Sequence, residues 1–113
     1  MYGNKGNGDS LIENLYHIIE QNDEIIKIKL AQSSHPIFKA HFPGNPILPG
    51  FAQIEIIAQI LNDHIISIKY SKFLSHILPG DTITYSVKKE DKKRRVKILK
   101  DSKKVSEIAY ESR

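Results

Sequence analysis

Pro43, Pro46 and Pro49 recur at every third residue, and Gly44 and Gly50 are interleaved with them. Each proline fixes φ, removes a backbone donor and pushes the residue before it out of the α region. Residues 41–50 are therefore a stiff, extended loop. The next stretch, Phe51-Ala-Gln-Ile-Glu-Ile-Ile-Ala-Gln-Ile-Leu61, has neither proline nor glycine and suits a helix. Pro49 and Gly50 sit where a helix start is expected. Only Gln53, Glu55 and Gln59 are polar in it. Apolar residues go all the way round, which predicts a helix buried on most sides. In a chain this short, the simplest wrapper for such a helix is a curved β-sheet.

The rest of the chain supplies that sheet. Tyr16 to Glu20 and Glu24 to Ala31 read as strands, with a turn at Gln21-Asn22-Asp23. Ile26, Ile28 and Leu30 alternate with Lys27 and Lys29, the pattern of a half-buried strand. Ser33 to Ala40 reads as irregular around Pro36, with Ile37 and Phe38 tucked under the helix. His64 to Phe73 is a strand, and Pro79-Gly80-Asp81 a turn. Three further strands are predicted at Thr82 to Glu90, Arg94 to Lys100 and Lys104 to Tyr110. Asp9 and Ser10 can cap a short helical turn, and the Gly- and Asn-rich residues 1–8 read as a disordered lead-in. One helix with a run of antiparallel strands is an α+β fold in a single domain, residues 1–113.

Composition narrows the function classes. There are 113 residues and no cysteine, which excludes disulfides, a thiol nucleophile and cysteine-ligated metals. A domain of this size buries a smaller share of its surface than a larger one, so oligomerisation is expected. No apolar run approaches the roughly 20 residues that span a bilayer. The first residues lack the apolar core of a signal peptide, so a cytoplasmic protein is expected. The net charge of +4 suits an acidic partner without choosing its kind. The run Lys88-Lys89-Glu90-Asp91-Lys92-Lys93-Arg94-Arg95 lacks interleaved aromatics and falls on a predicted hairpin tip. It reads as a solvated tip and not as a nucleic-acid patch. His17, His35, His64 and His76 show no metal-ligand spacing and read as structural or surface residues.

Two residues carry the chemistry. Imidazole is the usual general base near neutral pH, and His41 heads the Pro/Gly loop. Glu55 is a carboxylate within a mostly apolar helix, costly if buried without a partner. Gln59 lies four residues on, in the same stripe, where it could bond Glu55 and hold its rotamer. The bland alternatives are a packed histidine, a solvent-facing glutamate and a surface glutamine.

The spacing of these residues resembles a family. His41-Phe-Pro-Gly-Asn-Pro-Ile-Leu-Pro-Gly50, with Glu55 fourteen residues after His41 and Ala58-Gln59 beyond it, resembles the FabZ-type 3-hydroxyacyl-[acyl-carrier-protein] dehydratases of the hot-dog fold. Ser71-Lys-Phe-Leu-Ser-His-Ile-Leu-Pro-Gly-Asp81 resembles a second segment of that family. The resemblance covers roughly residues 25 to 110. It implies an antiparallel sheet wrapped around one central helix, and elimination of water from 3-hydroxyacyl thioesters to trans-2-enoyl thioesters. It implies acyl carrier protein as the acidic partner, a homodimer, and no cofactor or metal. It also implies that His41 of one chain meets Glu55 of its neighbour across the dimer interface. His41 would remove the α-proton or polarise the 3-hydroxyl. The first turn of the helix at Gly50 and Phe51 offers backbone N–H groups to the thioester carbonyl, and the glycine permits close approach of substrate.

The chain also departs from that family. Typical members are longer at the N-terminus and in the central helix and the loop after it. The shorter helix bears on the acyl length accepted, and short members occur in clusters making aryl polyenes or other specialised lipids. Glu rather than Asp at position 55 favours dehydration without isomerisation. Two other functions compete: a hot-dog acyl thioesterase, in which Glu55 activates water or attacks the thioester, and a non-catalytic protein that binds an acyl chain or completes a heterodimer.

Overall fold

A computed structural model describes residues 9–40 and 44–113 of the chain. The disordered lead-in expected at residues 1–8 lies outside the described residues. In chain order the elements are α1 (Asp9–Ile12), β1 (Tyr16–Gln21), β2 (Ile25–Leu30), α2 (Pro36–Ala40), α3 (Gly50–Leu61), β3 (Ile65–Phe73), β4 (Thr82–Glu90), β5 (Lys93–Lys100) and β6 (Lys103–Ser112). The strands form one antiparallel sheet in the order β1-β2-β4-β5-β6-β3. The sheet curves around α3, which is the hot-dog arrangement the sequence implied.

Strand alternation sets which face is covered. In β4, Ile83, Tyr85 and Val87 are buried while Thr82, Thr84 and Ser86 are half-buried. In β5, Val96 and Ile98 point to the same core, and Arg95 and Lys97 away from it. The tight hairpins at the ends of β5 place Asp91, Asp101 and Ser102 at positive φ. Short polar side chains tolerate that region because they can bond locally.

Two expectations are corrected. Ser33 to Ala40 is not wholly irregular, because Pro36 to Ala40 forms α2. Proline is tolerated at a first helical position, where its missing N–H has no helical partner to lose. The His35 ring supports this start: Nδ1 accepts from the Ile37 N–H at 3.0 Å, and Nε2 faces the Glu13 carbonyl at 2.7 Å. Ile37 and Phe38 are buried in the core.

The second correction concerns α3. Ala52, Gln53, Ile56 and Ile57 are buried, but Phe51, Glu55 and Gln59 are exposed. These last three are four residues apart and so form one stripe. One sheet layer covers one side of the helix, and in a single chain the opposite stripe stays open. The helix ends at Asn62, in the left-handed region at φ 57°. The Asp63 N–H reaches back to the Ala58 carbonyl at 2.9 Å, closing the last turn.

Candidate active site

The start of α3 is seated by a single row of side chains across the sheet. Ile26, Tyr85, Ile98, Ser106 and Phe73 are successive partners on β2, β4, β5, β6 and β3. Residues paired directly across antiparallel strands point to the same face, so the row forms one line beneath the helix. The Tyr85 hydroxyl donates to the Gln53 carbonyl at 2.8 Å. The Ser106 hydroxyl donates to Gln53 Oε1 at 2.6 Å, and Gln53 Nε2 donates to the Leu48 carbonyl at 3.3 Å. Leu48 in turn donates its N–H to the Ile77 carbonyl at 2.8 Å. The loop, the helix and the connection after β3 are thereby held together through one buried amide. Burial pushes the Tyr85 hydroxyl well above the usual phenol range, so it remains a donor.

The last member of the row, Phe73, lies against Gly50. A Cβ at position 50 would meet the ring edge at 2.7 Å. The room left by this glycine is thus filled by an aromatic ring. Pro49 precedes the helix with φ −63° and ψ 152°, carrying the chain from extended to helical backbone. Leu48, Pro49, Gly50, Phe73, Leu74 and His76 line an open recess of about 540 Å³ at this end of α3.

Glu55 stands one turn further along the exposed stripe. Among the described residues it has no hydrogen-bond or ion-pair partner. It borders a different recess, of about 420 Å³, together with Ala58, Gln59, Asn62, Asp63 and His64. Gln59 does not hold the Glu55 carboxylate. Its Oε1 accepts from the Tyr16 hydroxyl at 2.5 Å, and partial burial raises that phenol. Of the residues singled out in the sequence, Gly50, Phe51, Glu55 and Gln59 are therefore brought onto one helix, with Gly50 and Glu55 opening onto separate recesses. His41 lies outside the described residues. Among the described residues no group of three His, Cys, Asp or Glu could hold a metal.

The far end of α3 is fixed by an ion pair that the sequence reading missed. Asp63 accepts from Arg94 Nε at 3.0 Å and Nη2 at 3.2 Å, a bidentate arrangement. The Tyr110 hydroxyl donates to the same carboxylate at 2.5 Å. Burial first, and the hydrogen bond to Asp63 second, push the Tyr110 phenol far up. Arg94 was read as part of a solvated tip. It is half-buried because its side chain follows the inner face of β5, where Asp63 waits. The other missed residue is Gln53. Its signal was available: it is the polar residue of α3 that falls on the same face as Ile56 and Ile57.

Comparison with known proteins fits this architecture. The ApeI-like family, described as ApeI dehydratase, matches residues 17–109. The FabZ 3-hydroxyacyl-[acyl-carrier-protein] dehydratase of Ehrlichia chaffeensis is 34% identical over 77 residues, covering 58% of this chain and 54% of the relative. The FabZ of Fusobacterium nucleatum is 34% identical over 88 residues, covering 67% and 62%. The chain thus spans little more than half the length of such curated relatives. Among solved structures, the dehydratase heterocomplex ApeI:P from Xenorhabdus doucetiae is similar with a TM-score of 0.65 and 25% identity, over 85% of this chain and 93% of that one. Thioesterase superfamily member 2 from Mus musculus, at 13% identity and a TM-score of 0.62 over 93% and 86%, shares the fold. With the family match running from β1 into β6 and the helix and sheet arranged as described, the chain belongs to the ApeI-like family of hot-dog dehydratases.

Proposed function

We propose that this protein eliminates water from 3-hydroxyacyl thioesters borne on an acyl carrier protein, giving trans-2-enoyl thioesters. In this reading His41 takes the α-proton as general base. The electrons of that C–H bond form the new double bond as the C–O bond at position 3 breaks. Glu55 gives its proton to the departing hydroxyl, which leaves as water. Two titratable groups in different environments can divide acid and base roles in this way. The first turn of α3, at Gly50 and Phe51, faces the thioester carbonyl and stabilises the enolate that develops there. Gln59, already accepting from Tyr16, keeps its amide N–H groups for the substrate.

The observation that carries this reading is the position of Glu55. Among the described residues its carboxylate has no partner, and it sits on the open stripe of a helix that is otherwise covered. A second chain laid on that stripe brings its own loop toward Glu55 and completes a site that one chain leaves in two halves. The β3 edge supports the same assembly. It is nine residues long, has no strand neighbour on its outer side among the described residues, and exposes Ile66 and Ile68 at 56% and 49%. A long apolar edge of this kind is a liability unless it pairs with another strand. A homodimer is the simplest such assembly. The Xenorhabdus relative is a heterocomplex, which favours one variant reading, in which the second chain is a different hot-dog protein.

Incubation with a 3-hydroxyacyl thioester and, separately, with its trans-2-enoyl counterpart tests the chemistry. Reversible interconversion of the two is expected. Release of free thiol instead would make the protein a thioesterase, and no change in either would make it a binding protein.

A further inference from the structure

On the face of the sheet turned away from α3 two adjacent rows are basic, while the row beyond them, Glu90, Lys93 and Glu111, carries two acids. Ser86, Lys97, Glu107 and Lys72 are successive partners across β4, β5, β6 and β3. The neighbouring row is Lys88, Arg95, Ala109 and Tyr70. Lys104 lies beside them on β6. The only acid in these two rows is Glu107, and it is already engaged: the Lys104 ammonium lies 2.6 Å from it and the Tyr70 hydroxyl donates to it at 2.8 Å. Lys72 holds its ammonium 5.4 Å from the centre of the Tyr70 ring. Among the described residues, Lys88, Arg95 and Lys97 have no ion-pair partner, whereas Arg94 and Lys100, outside this face, are paired with Asp63 and Asp81. Lys88 is placed directly opposite Arg95. Like charges at opposed positions destabilise a sheet, so this arrangement is unfavourable for the isolated chain. A shallow recess of about 260 Å³ lies among Tyr70, Ser86, Lys88, Arg95, Lys97 and Glu107.

We propose that this outer face is the docking surface for a protein with an acidic surface, and, resting on the function proposed above, that this protein is the carrier of the thioester. Complementary charge of this kind steers association and fixes register. A nucleic acid fits less well. Tyr70, the aromatic ring in these two rows, has Lys72 over it and its hydroxyl tied to Glu107, so these rows offer no stacking platform. The location suits delivery of a substrate. Lys72 and Phe73 are consecutive on β3, and Phe73 lies on the opposite face against Gly50. A carrier seated on Lys72, Arg95 and Lys97 is one sheet layer away from the start of α3, with the recess at Leu74 and His76 around the end of the strand.

The test combines Lys88→Glu, Arg95→Glu and Lys97→Glu in one variant, with the Gln versions of the same three as a milder second variant. Turnover is measured on a carrier-bound 3-hydroxyacyl thioester and on the same acyl group as an N-acetylcysteamine thioester. The Glu variant is expected to raise KM for the carrier-bound substrate about 10- to 100-fold. Its kcat/KM on the small thioester should stay at the wild-type value. The Gln variant should fall between, and the wild-type KM for the carrier should rise with ionic strength. Equal KM values for wild type and both variants on the carrier would overturn the docking surface. If the wild type turns over neither thioester, the dehydratase reading fails. The surface is then judged by calorimetric titration of wild type and variants with the acyl-free carrier, where binding lost in the variants sustains it and binding unchanged or absent overturns it. Charge-dependent binding of a single-stranded oligonucleotide or of anionic lipid vesicles, with the carrier ignored, would overturn the acidic-protein assignment.

Discussion

Ser106 on β6 and Gln53 in the first turn of α3, 53 residues apart in the chain, share a buried hydrogen bond of 2.6 Å. Gln53 is 3% exposed and Ser106 fully buried. The pair fixes the start of the helix to the middle of the sheet, and with it the turn that carries Gly50 and Phe51. Replacing Gln53 with Leu strands the Ser106 hydroxyl and the Leu48 carbonyl without partners. A buried group left unsatisfied costs about 1–3 kcal/mol, so Gln53→Leu should be destabilising by roughly that amount in urea unfolding. Adding Ser106→Ala should recover part of the loss, since both polar partners are then gone. Additive losses in the double variant would mean that the two side chains act independently.

His41→Ala and Glu55→Gln should each reduce hydration of the enoyl thioester by about 100- to 10,000-fold, the range for loss of a general acid or base. The Tm of the Glu55→Gln variant should stay close to wild type, because Glu55 is exposed and has no partner among the described residues. Near-normal turnover in either variant would remove that residue from the mechanism.

Mixing the two inactive variants tests the shared site. Free exchange makes about half the dimers mixed, each with one intact His41 and Glu55 pair, by the two-fold symmetry of such an assembly. Roughly a quarter of wild-type activity should return. Absence of recovery after exchange verified by mass spectrometry would place both residues in one chain's site, or require a different second chain.

Gly50→Ala should have opposite effects in two backgrounds. In the wild type the new methyl meets the Phe73 ring edge, and the half-exposed ring must swing aside. The substitution should then be destabilising, by up to about 1–3 kcal/mol. In a Phe73→Ala background the obstruction is gone, and Gly50→Ala should stabilise by about 0.4–1 kcal/mol through the less flexible unfolded chain. Thermal unfolding of the four proteins decides it; the same sign in both backgrounds would show that the ring is not what excludes a side chain there.

The Glu107 carboxyl is held down at about 2, first by its hydrogen bond from Lys104 and next by that from Tyr70. An unfolded chain titrates glutamate at about 4.3. The folded value is the lower one, so the stability from this cluster is present above the unfolded value and is lost as pH falls from there toward 2. Glu107→Gln should flatten that part of the curve of Tm against pH. An unchanged slope between about pH 4.3 and 2 would mean that other carboxylates dominate.

Much of the fold could be read residue by residue, because its signals are local. The alternation of Ile26, Ile28 and Leu30 with lysines gave β2 its inner face, as observed. The break-free stretch after Pro49 gave α3, within one residue of its observed bounds. Pro36 misled, since a proline reads as a breaker unless it stands first in a helix. The candidate site was legible only as a motif. Glu55 was identified by its spacing from His41, yet it was read as a carboxylate inside a covered helix, while the chain leaves it exposed. Periodicity reports which residues are apolar and cannot report which helix stripe one sheet leaves open.

By itself, the sequence determined where the chain must be stiff, where it is helical, and that a glutamate and a glutamine share a helical stripe. These follow from φ restriction, side-chain period and hydrophobicity, which act over a few residues. Only the tertiary structure decided that Gln53 is the buried polar anchor, that Phe73 fills the space at Gly50, and that Asp63, Arg94 and Tyr110 clamp the far end of the helix. Each of those pairings joins residues at least 20 positions apart in the chain. Strand order and register bring such residues together, and no local preference encodes them.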